Sequence, residues 1–386
     1  MTKIISFFTA IIMFLVPGAN YPHNELDTEH QNTNYTYVFV HGLGGWGEDA
    51  FYYDIFPYWG TLGGDMMKYM NARGFNCVAA TVTQNGSVWD RCCELYAQLT
   101  GTVTDYGVNH SKTHNHDRYG KDYTGKAIVS DWNSEEKINL MGHSFGGATS
   151  VMLAELMAFG SEEEIAATAK DDISPLFTGG KADWIYSVTT LAAPLNGTTA
   201  IPCKDVINSY KIRNPQQILV VNTVGVIAGP INDGRTEDDC AYYDMEVDNA
   251  MEMCENWKYS DEQYFFSLAC CMTDTDENGV TTADESDFEF IYCAAATEIA
   301  KYKGVTEKGY VLDEKWQPND GLVNTISALA PFNAKTTDYE GGQAEKGVWN
   351  VYPVYRGDHM SLMGGLLHNN PIRDLYFELM TNINAL

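Results

Sequence analysis

The sequence predicts an α/β protein built on a mainly parallel central sheet with helices on both faces. Three observations carry that prediction. Short apolar runs end in glycine-rich turns, helical stretches lie between them, and one apolar run passes through a single serine directly into a helix.

In chain order, "YTYVFVHGLGG" (Tyr35–Gly45) is an apolar strand closing on a Gly-rich turn. "GGDMMKYMNARG" (Gly63–Gly74) reads as a helix and "GFNCVAATVT" (Gly74–Thr83) as the next strand, followed by helical "DRCCELYAQLTG" (Asp90–Gly101). The His-rich stretch Gly107–Gly120 breaks the alternation and reads as an insertion. Ile138–Met141 is the end of a buried strand, and "ATSVMLAELMAF" (Ala148–Phe159) is a helix. "WIYSVTTLAAP" (Trp184–Pro194), "YFFSLACC" (Tyr264–Cys271) and "VWNVYPVY" (Val348–Tyr355) are further strands. The acidic segment Asp274–Asp287 reads as a second insertion.

Bulk properties bound the function. With 386 residues, 45% of them hydrophobic, the chain can bury a large core as one elaborated domain. Its formal charge of −28 argues against nucleic acid or an anionic membrane as a standing partner. One early lysine, an apolar run from Ile4 to Val16 and then Gly18 and Ala19 read as a secretory signal peptide over residues 1–19. A polar linker over 20–34 and one domain over 35–386 follow, and the expected localisation is extracellular. The nine cysteines permit disulfides after export, but their spacing sets no connectivity, and an odd number leaves at least one thiol unpaired. The sequence sets no oligomeric state.

The serine lies in "KINLMGHSFGGATS" (Lys137–Ser150). A serine at a strained strand-to-helix turn is lifted off the sheet, and only small neighbours such as Gly142 and Gly146 let strand and helix approach so closely. The helix N-terminus behind Ser144 supplies free N–H groups for a developing oxyanion. A serine hydroxyl needs a base, and the base needs an orienting carboxylate. After Ser144 only His359 and His368 remain. His359, in "RGDHMSL" just beyond a candidate strand, is the expected base. For the acid, Asp320 in "QPNDGLVNT" leads, but spacing alone leaves Asp313 and Asp338 open. Oxyanion donors are expected from the N–H groups of Leu43, in the loop "FVHGLGGWG", and of Phe145, with His41 bracing that loop.

Together these stretches resemble the secreted lipases of thermophilic bacilli and staphylococci, zinc-containing enzymes of the α/β-hydrolase fold. The resemblance rests on "VHGLGGWG", "YWGTLGGD", "WDRCCELYAQLTG", "DYGVNHSKTHNHDRYG", "GHSFGGAT", "SPLFTGG", "SVTTLAAPLNGTT", "NDGLVNT", "KGVWN" and "DHMSLMG", spanning Val40 to Gly364 in the family's order. It implies Ser144 as nucleophile, Asp320 as acid, His359 as base, and Leu43 and Phe145 as oxyanion donors. It also implies a structural zinc in an insertion over about 85–120, held by Asp90, His110, His116 and Asp244. His114, Cys92 and Cys93 are rival ligands, and two imidazoles with two carboxylates suit four-coordinate Zn²⁺. The family's calcium site is expected to be lost, because Ser361 stands where an acidic residue is usual. The interval 200–245 is short, with "QQILVVNTVGVIAGP" its one apolar stretch. A reduced cap is therefore expected.

The resemblance thus implies a carboxylic-ester hydrolase acting on short to medium acyl esters or triacylglycerols, with polyesters as a further substrate class and transient contact with a lipid interface. The competing reading is a non-catalytic ligand-binding protein that keeps the fold. Separately, "DTDENGVTTADE" matches a calcium-loop pattern, with Asp274, Asp276, Asn278 and Glu285 as ligands. The alternative there is an acidic β-hairpin turning at Glu277-Asn278-Gly279.

Overall fold

Along the first strand the side chains alternate, and that alternation sets the layers. Tyr37 and Phe39 point into one apolar cluster, whereas Val38 and Val40 point into another. Every one of these side chains is fully buried, as a strand covered on both faces requires. In the computed structural model, which describes residues 31–202, 236–284, 290–365 and 372–386, this strand lies inside a seven-stranded sheet. The signal-peptide region, the centre of the expected cap with its apolar stretch, Glu285 and His368 lie outside the described residues.

The strands of that sheet are β1 (Thr36–Val40), β2 (Cys77–Ala80), β3 (Ile138–His143), β4 (Ile185–Leu191), β5 (Tyr264–Leu268), β6 (Thr336–Asp338) and β7 (Trp349–Val351). Their spatial order is β6-β7-β5-β4-β3-β1-β2, and every pairing is parallel. Among the described residues five helices reach ten residues: α1 (Val88–Thr100), α2 (Phe145–Phe159), α3 (Val247–Asn256), α4 (Phe290–Lys301) and α5 (Arg373–Asn384). Leu95 and Leu99 of α1 and Val151 and Leu153 of α2 join the cluster of Val38 and Val40. Met66, Met67 and Met70 join Tyr376, Leu379 and Met380 of α5 on the opposite face. This parallel sheet, covered on both sides and carrying its sharp serine turn at the end of β3, is the α/β-hydrolase arrangement.

Two local outcomes differ from the sequence reading, and a third is the hairpin it held as an alternative. The helix α1 is part of the main core, so the inserted piece is smaller than 85–120. It consists of the antiparallel pair Val103–Asp105 and Tyr119–Asp122 with the short helix Val108–Thr113 between them. "YFFSLACC" is not one strand: β5 stops at Leu268, and Cys270–Cys271 pairs instead with Tyr355–Arg356, the segment leading to His359. The acidic insertion folds as a hairpin, Thr273–Thr275 against Thr281–Ala283, with Gly279 at φ +76°. Within it the carboxylates of Asp274 and Asp276, two of the expected calcium ligands, make other contacts. Asp276 Oδ1 accepts the N–H groups of Asn278 and Val280 at 2.9 and 2.8 Å, and Asp274 pairs with Arg356 at 2.5 Å. An entering helix, which a calcium loop of that kind requires, is replaced by a strand.

The eight described cysteines are all free thiols. Among the described residues no helix is long and apolar enough to cross a membrane.

Candidate active site and metal cluster

Ser144 links β3 to α2 at φ 55°, ψ −131°, a backbone conformation that a residue with a side chain rarely adopts. The turn is possible because its neighbours lack side chains. A Cβ on Gly142 would sit 2.3 Å from the Gly146 carbonyl oxygen, and one on Gly146 would sit 2.1 Å from that of Val40. Ser144 N–H donates to Leu191 O at 2.8 Å, which anchors the turn to β4.

His359 lies over this serine. Its Nε2 is 2.9 Å from Ser144 Oγ and its Nδ1 is 2.8 Å from Asp320 Oδ2. The acid is held by its own loop: Asp320 Oδ1 accepts the N–H groups of Leu322 and Val323 at 3.0 and 2.7 Å. A backbone bond from His359 N–H to Asp320 O, 2.8 Å, keeps the two loops in register. Asp320 and His359 are almost wholly buried, and Ser144 retains 7% exposure. The competing acids lie elsewhere. Asp313 accepts the Lys315 N–H at 3.0 Å, and Asp338 is exposed on the edge strand β6. Ser144, His359 and Asp320 thus stand in a single hydrogen-bonded line, the arrangement expected of a nucleophile, base and acid.

The oxyanion side is built by β1 and its loop. Among the described residues the N–H of Leu43 has no acceptor, whereas those of Gly44 and Gly45 donate to Gln84 O and Gly42 O. The N–H of Phe145 is the first of α2 and has no partner a turn earlier. A Cβ on Gly42 would lie 2.7 Å from Ser144 Cβ, so only glycine fits beside the nucleophile.

His41 braces the loop as expected, with its Nδ1 2.9 Å from Gly42 O and its Nε2 accepting the Val82 N–H at 3.2 Å. Burial, helped by the Arg91 charge, lowers its pKa to about 3, so it is no second base. Sequence reasoning missed Arg91. Its buried guanidinium donates to His41 O, to Thr83 O at 2.9 Å and to Thr149 Oγ1 of α2 at 3.1 Å. Burial lowers the Arg91 pKa to about 10, which still leaves it charged.

On the other side of α1, Asp90, His110, His116 and Asp239 turn donor atoms toward one centre, all within 4.8 Å of one another. His110 Nε2 is 3.1 Å from Asp90 Oδ1 and 3.5 Å from Asp239 Oδ1, and His116 Nε2 is 3.6 Å from Asp239 Oδ2. Four-coordinate ligands about 2.0 Å from a metal stand roughly 3.3 Å apart, so the spacing fits. Tautomer chemistry points the same way. His116 Nδ1 faces Asp117 O at 2.8 Å and must donate to it, which turns Nε2 toward the Asp239 carboxylate, where it makes no hydrogen bond. In the neutral ring that nitrogen is a lone pair, and a cation between it and the carboxylate would relieve the opposition. This cluster could hold a metal ion.

Asp244, the expected fourth ligand, is not in the cluster. Its Oδ2 accepts the Val88 N–H at 2.6 Å in the first turn of α1, and burial pushes its carboxyl up to about 7. Asp239 stands in the cluster in its place. His114 faces Asp238 at 3.5 Å instead, and the Cys92 and Cys93 thiols lie in the main core. Glu164 accepts the N–H groups of Asn109 and His110 at 3.0 and 2.7 Å, which fixes the short helix that carries His110. At the expected lost calcium site, Ser361 Oγ donates to Asp358 Oδ1 at 3.1 Å.

Comparison with known proteins follows this geometry. A family model described as "Lipase-like, C-terminal domain" matches residues 33–220 and 233–374. Lipase 2 of Staphylococcus aureus is 30% identical over 363 residues, covering 86% of this chain and 50% of its own length. The chain therefore spans about half the length of the curated relatives it matches. The structure of EstA from Clostridium botulinum matches with a TM-score of 0.79 at 30% identity, over 97% of this chain and 94% of that one. Staphylococcus hyicus lipase matches with a TM-score of 0.75 at 26% identity, over 94% and 98% of the two chains. On the extent of the family-model match, this chain belongs to the lipase-like C-terminal domain family.

Proposed function

We propose that this chain is a carboxylic-ester hydrolase of the lipase and esterase type that works through an acyl-enzyme. The observation that carries the proposal is the line Ser144 Oγ, His359 Nε2, His359 Nδ1, Asp320 Oδ2, with spacings of 2.9 and 2.8 Å across the two gaps. His359 takes the Ser144 proton as Oγ attacks the ester carbonyl. Asp320 holds the imidazole in the tautomer that can accept it and stabilises the imidazolium that forms. The N–H groups of Leu43 and Phe145 receive the oxyanion. His359 then returns the proton to the leaving alcohol, and water enters by the same route in reverse.

Asp90, His110, His116 and Asp239 would hold Zn²⁺, a choice supported by two imidazoles and two carboxylates at tetrahedral spacing. Held by these four residues, the ion would cross-link α1, the inserted piece and the segment around Asp239. The substrates proposed are short to medium acyl esters and triacylglycerols, and export, read from the apolar run Ile4–Val16, completes the proposal.

The test is a rate profile over p-nitrophenyl esters from acetate to palmitate, with Ser144→Ala beside the wild type. Turnover concentrated on the short and medium esters and absent from the variant is expected. Equal turnover by both proteins, or none by the wild type on any ester, contradicts the proposal.

A further inference from the structure

Tyr58 and His143 are buried beside the triad, and the reaction scheme uses neither. Tyr58 Oη lies 2.7 Å from His143 Nδ1 and 3.0 Å from the N–H nitrogen of Gly42. His143 Nε2 lies 2.9 Å from the backbone carbonyl oxygen of His359. The centroids of the His143 and His359 rings are 4.9 Å apart, with the rings tilted at 44°.

Chemistry dictates the direction of all three bonds. A carbonyl oxygen only accepts, so His143 Nε2 carries a hydrogen. Burial, reinforced by His359 nearby, holds the pKa of His143 well below its ordinary value. The ring is therefore neutral, and Nδ1 is a lone pair that accepts the Tyr58 hydroxyl hydrogen. The Tyr58 oxygen is then free to accept the Gly42 N–H. The chain runs one way only, from Gly42 N–H through Tyr58 and His143 to His359 O.

Its two ends matter. Gly42 immediately precedes Leu43, the oxyanion donor on the β1 loop, and His359 is the base on a loop more than three hundred residues later in the chain. No other bond described above joins those two loops directly. We propose that Tyr58 and His143 are a positioning pair that sets the oxyanion loop and the catalytic histidine against each other, so that the N–H donor and the base address one carbonyl group together. This rests on the ester-hydrolase reading. It adds that the residue before the nucleophile serves the geometry of the reaction, not only the packing under the elbow.

The test compares Tyr58→Phe, His143→Phe and His143→Gln. The two Phe variants keep the rings and remove the hydrogen bonds. In each, kcat should fall about tenfold or more with KM within about twofold, because the loss is of transition-state alignment. The preference for an oxygen ester over its thionoester should shrink in parallel, since an oxyanion hole out of register discriminates oxygen from sulfur less. His143→Gln should recover most of the lost rate, as its amide can donate to His359 O and accept from Tyr58. Wild-type kcat in both Phe variants, or a rise in KM alone, overturns the proposal. So does a Gln variant no better than the Phe variant.

A second measurement needs no variant. In the ¹⁵N-histidine spectrum of the intact chain near neutral pH, His143 should show hydrogen on Nε2 alone. Hydrogen on Nδ1, or on both nitrogens, overturns the relay. If instead Ser144→Ala hydrolyses esters as well as the wild type, the ester-hydrolase reading fails, whatever the tautomer of His143.

Discussion

The catalytic line and the metal cluster use the same residue types and end in opposite states. In the catalytic line the groups satisfy each other. His359 has a partner on each ring nitrogen, and the Asp320 carboxylate is filled by one imidazole and two backbone N–H groups. In the candidate metal cluster, imidazole nitrogens and carboxylate oxygens stand 3.1 to 3.6 Å apart, and His116 Nε2 forms no hydrogen bond. The first arrangement can pass a proton without rearranging. The second has excess negative charge and acceptor atoms that a divalent cation would compensate. What separates the two is where the hydrogens go, which is decided by backbone partners: Leu322 and Val323 N–H on one side, Asp117 O on the other.

The comparison is broken most strongly at its catalytic end. Asp320→Asn should lower kcat by roughly 10³-fold or more with the fold intact, because an amide favours the wrong imidazole tautomer. Steady-state kinetics on a soluble ester, together with an unchanged melting temperature, checks this. The metal end should respond the other way. Chelation, or His110→Ala with His116→Ala, should lower the melting temperature by roughly 5–10 °C through loss of ligand-linked stability. Turnover at a temperature where the variant stays folded should remain within about threefold, because the cluster supplies no group to the reaction. Elemental analysis of unchelated protein should find zinc, and Asp239→Asn should lower its content far more than Asp244→Asn.

A smaller effect tests burial without chemistry. Glu155, on the same helix α2 that begins at the nucleophile, is pushed up to about 7 by burial, with the Lys258 N–H as a weak partner at 3.3 Å. Its folded-state pKa is raised, so the native form binds the proton more tightly than the unfolded chain does. This contribution is present at low pH and is lost as pH rises from about 4.5 to about 7, at a cost of about 3 kcal/mol at most. Glu155→Gln should therefore raise the melting temperature at alkaline pH and change it little at mildly acidic pH. The smallest effect belongs to the acidic hairpin. Asp274→Asn breaks an exposed ion pair with Arg356 and should cost less than about 1 kcal/mol.

The parts of this account that sequence exposed are those where local geometry restricts residue choice. Ser144 stood out because a strained elbow needs Gly142 and Gly146, and both the strand before it and the helix after it are mainly apolar. His359 stood out because so few histidines follow. Asp320 led without standing apart, since spacing left Asp313 and Asp338 open, and only the resemblance chose among them. Asp239 and Asp244 lie five positions apart in one acidic stretch, and nothing in "EDDCAYYDMEV" says which carboxylate meets two histidines and which meets the α1 N-terminus. Arg91, Tyr58 and His143 work through bonds to loops distant in sequence, which leave no periodic trace. The edge strand β6 is three residues long and mostly exposed, too short to show a pattern.

The central claim is that Ser144 is a nucleophile activated by the His359–Asp320 pair. The most direct measurement is labelling of the intact chain with a fluorophosphonate, followed by mass mapping of the modified peptide. One label per chain on Ser144, formed slowly in Asp320→Asn and not at all in Ser144→Ala, is the predicted result. A label on another residue, or ester hydrolysis that continues at full rate after Ser144 is quantitatively blocked, would contradict it.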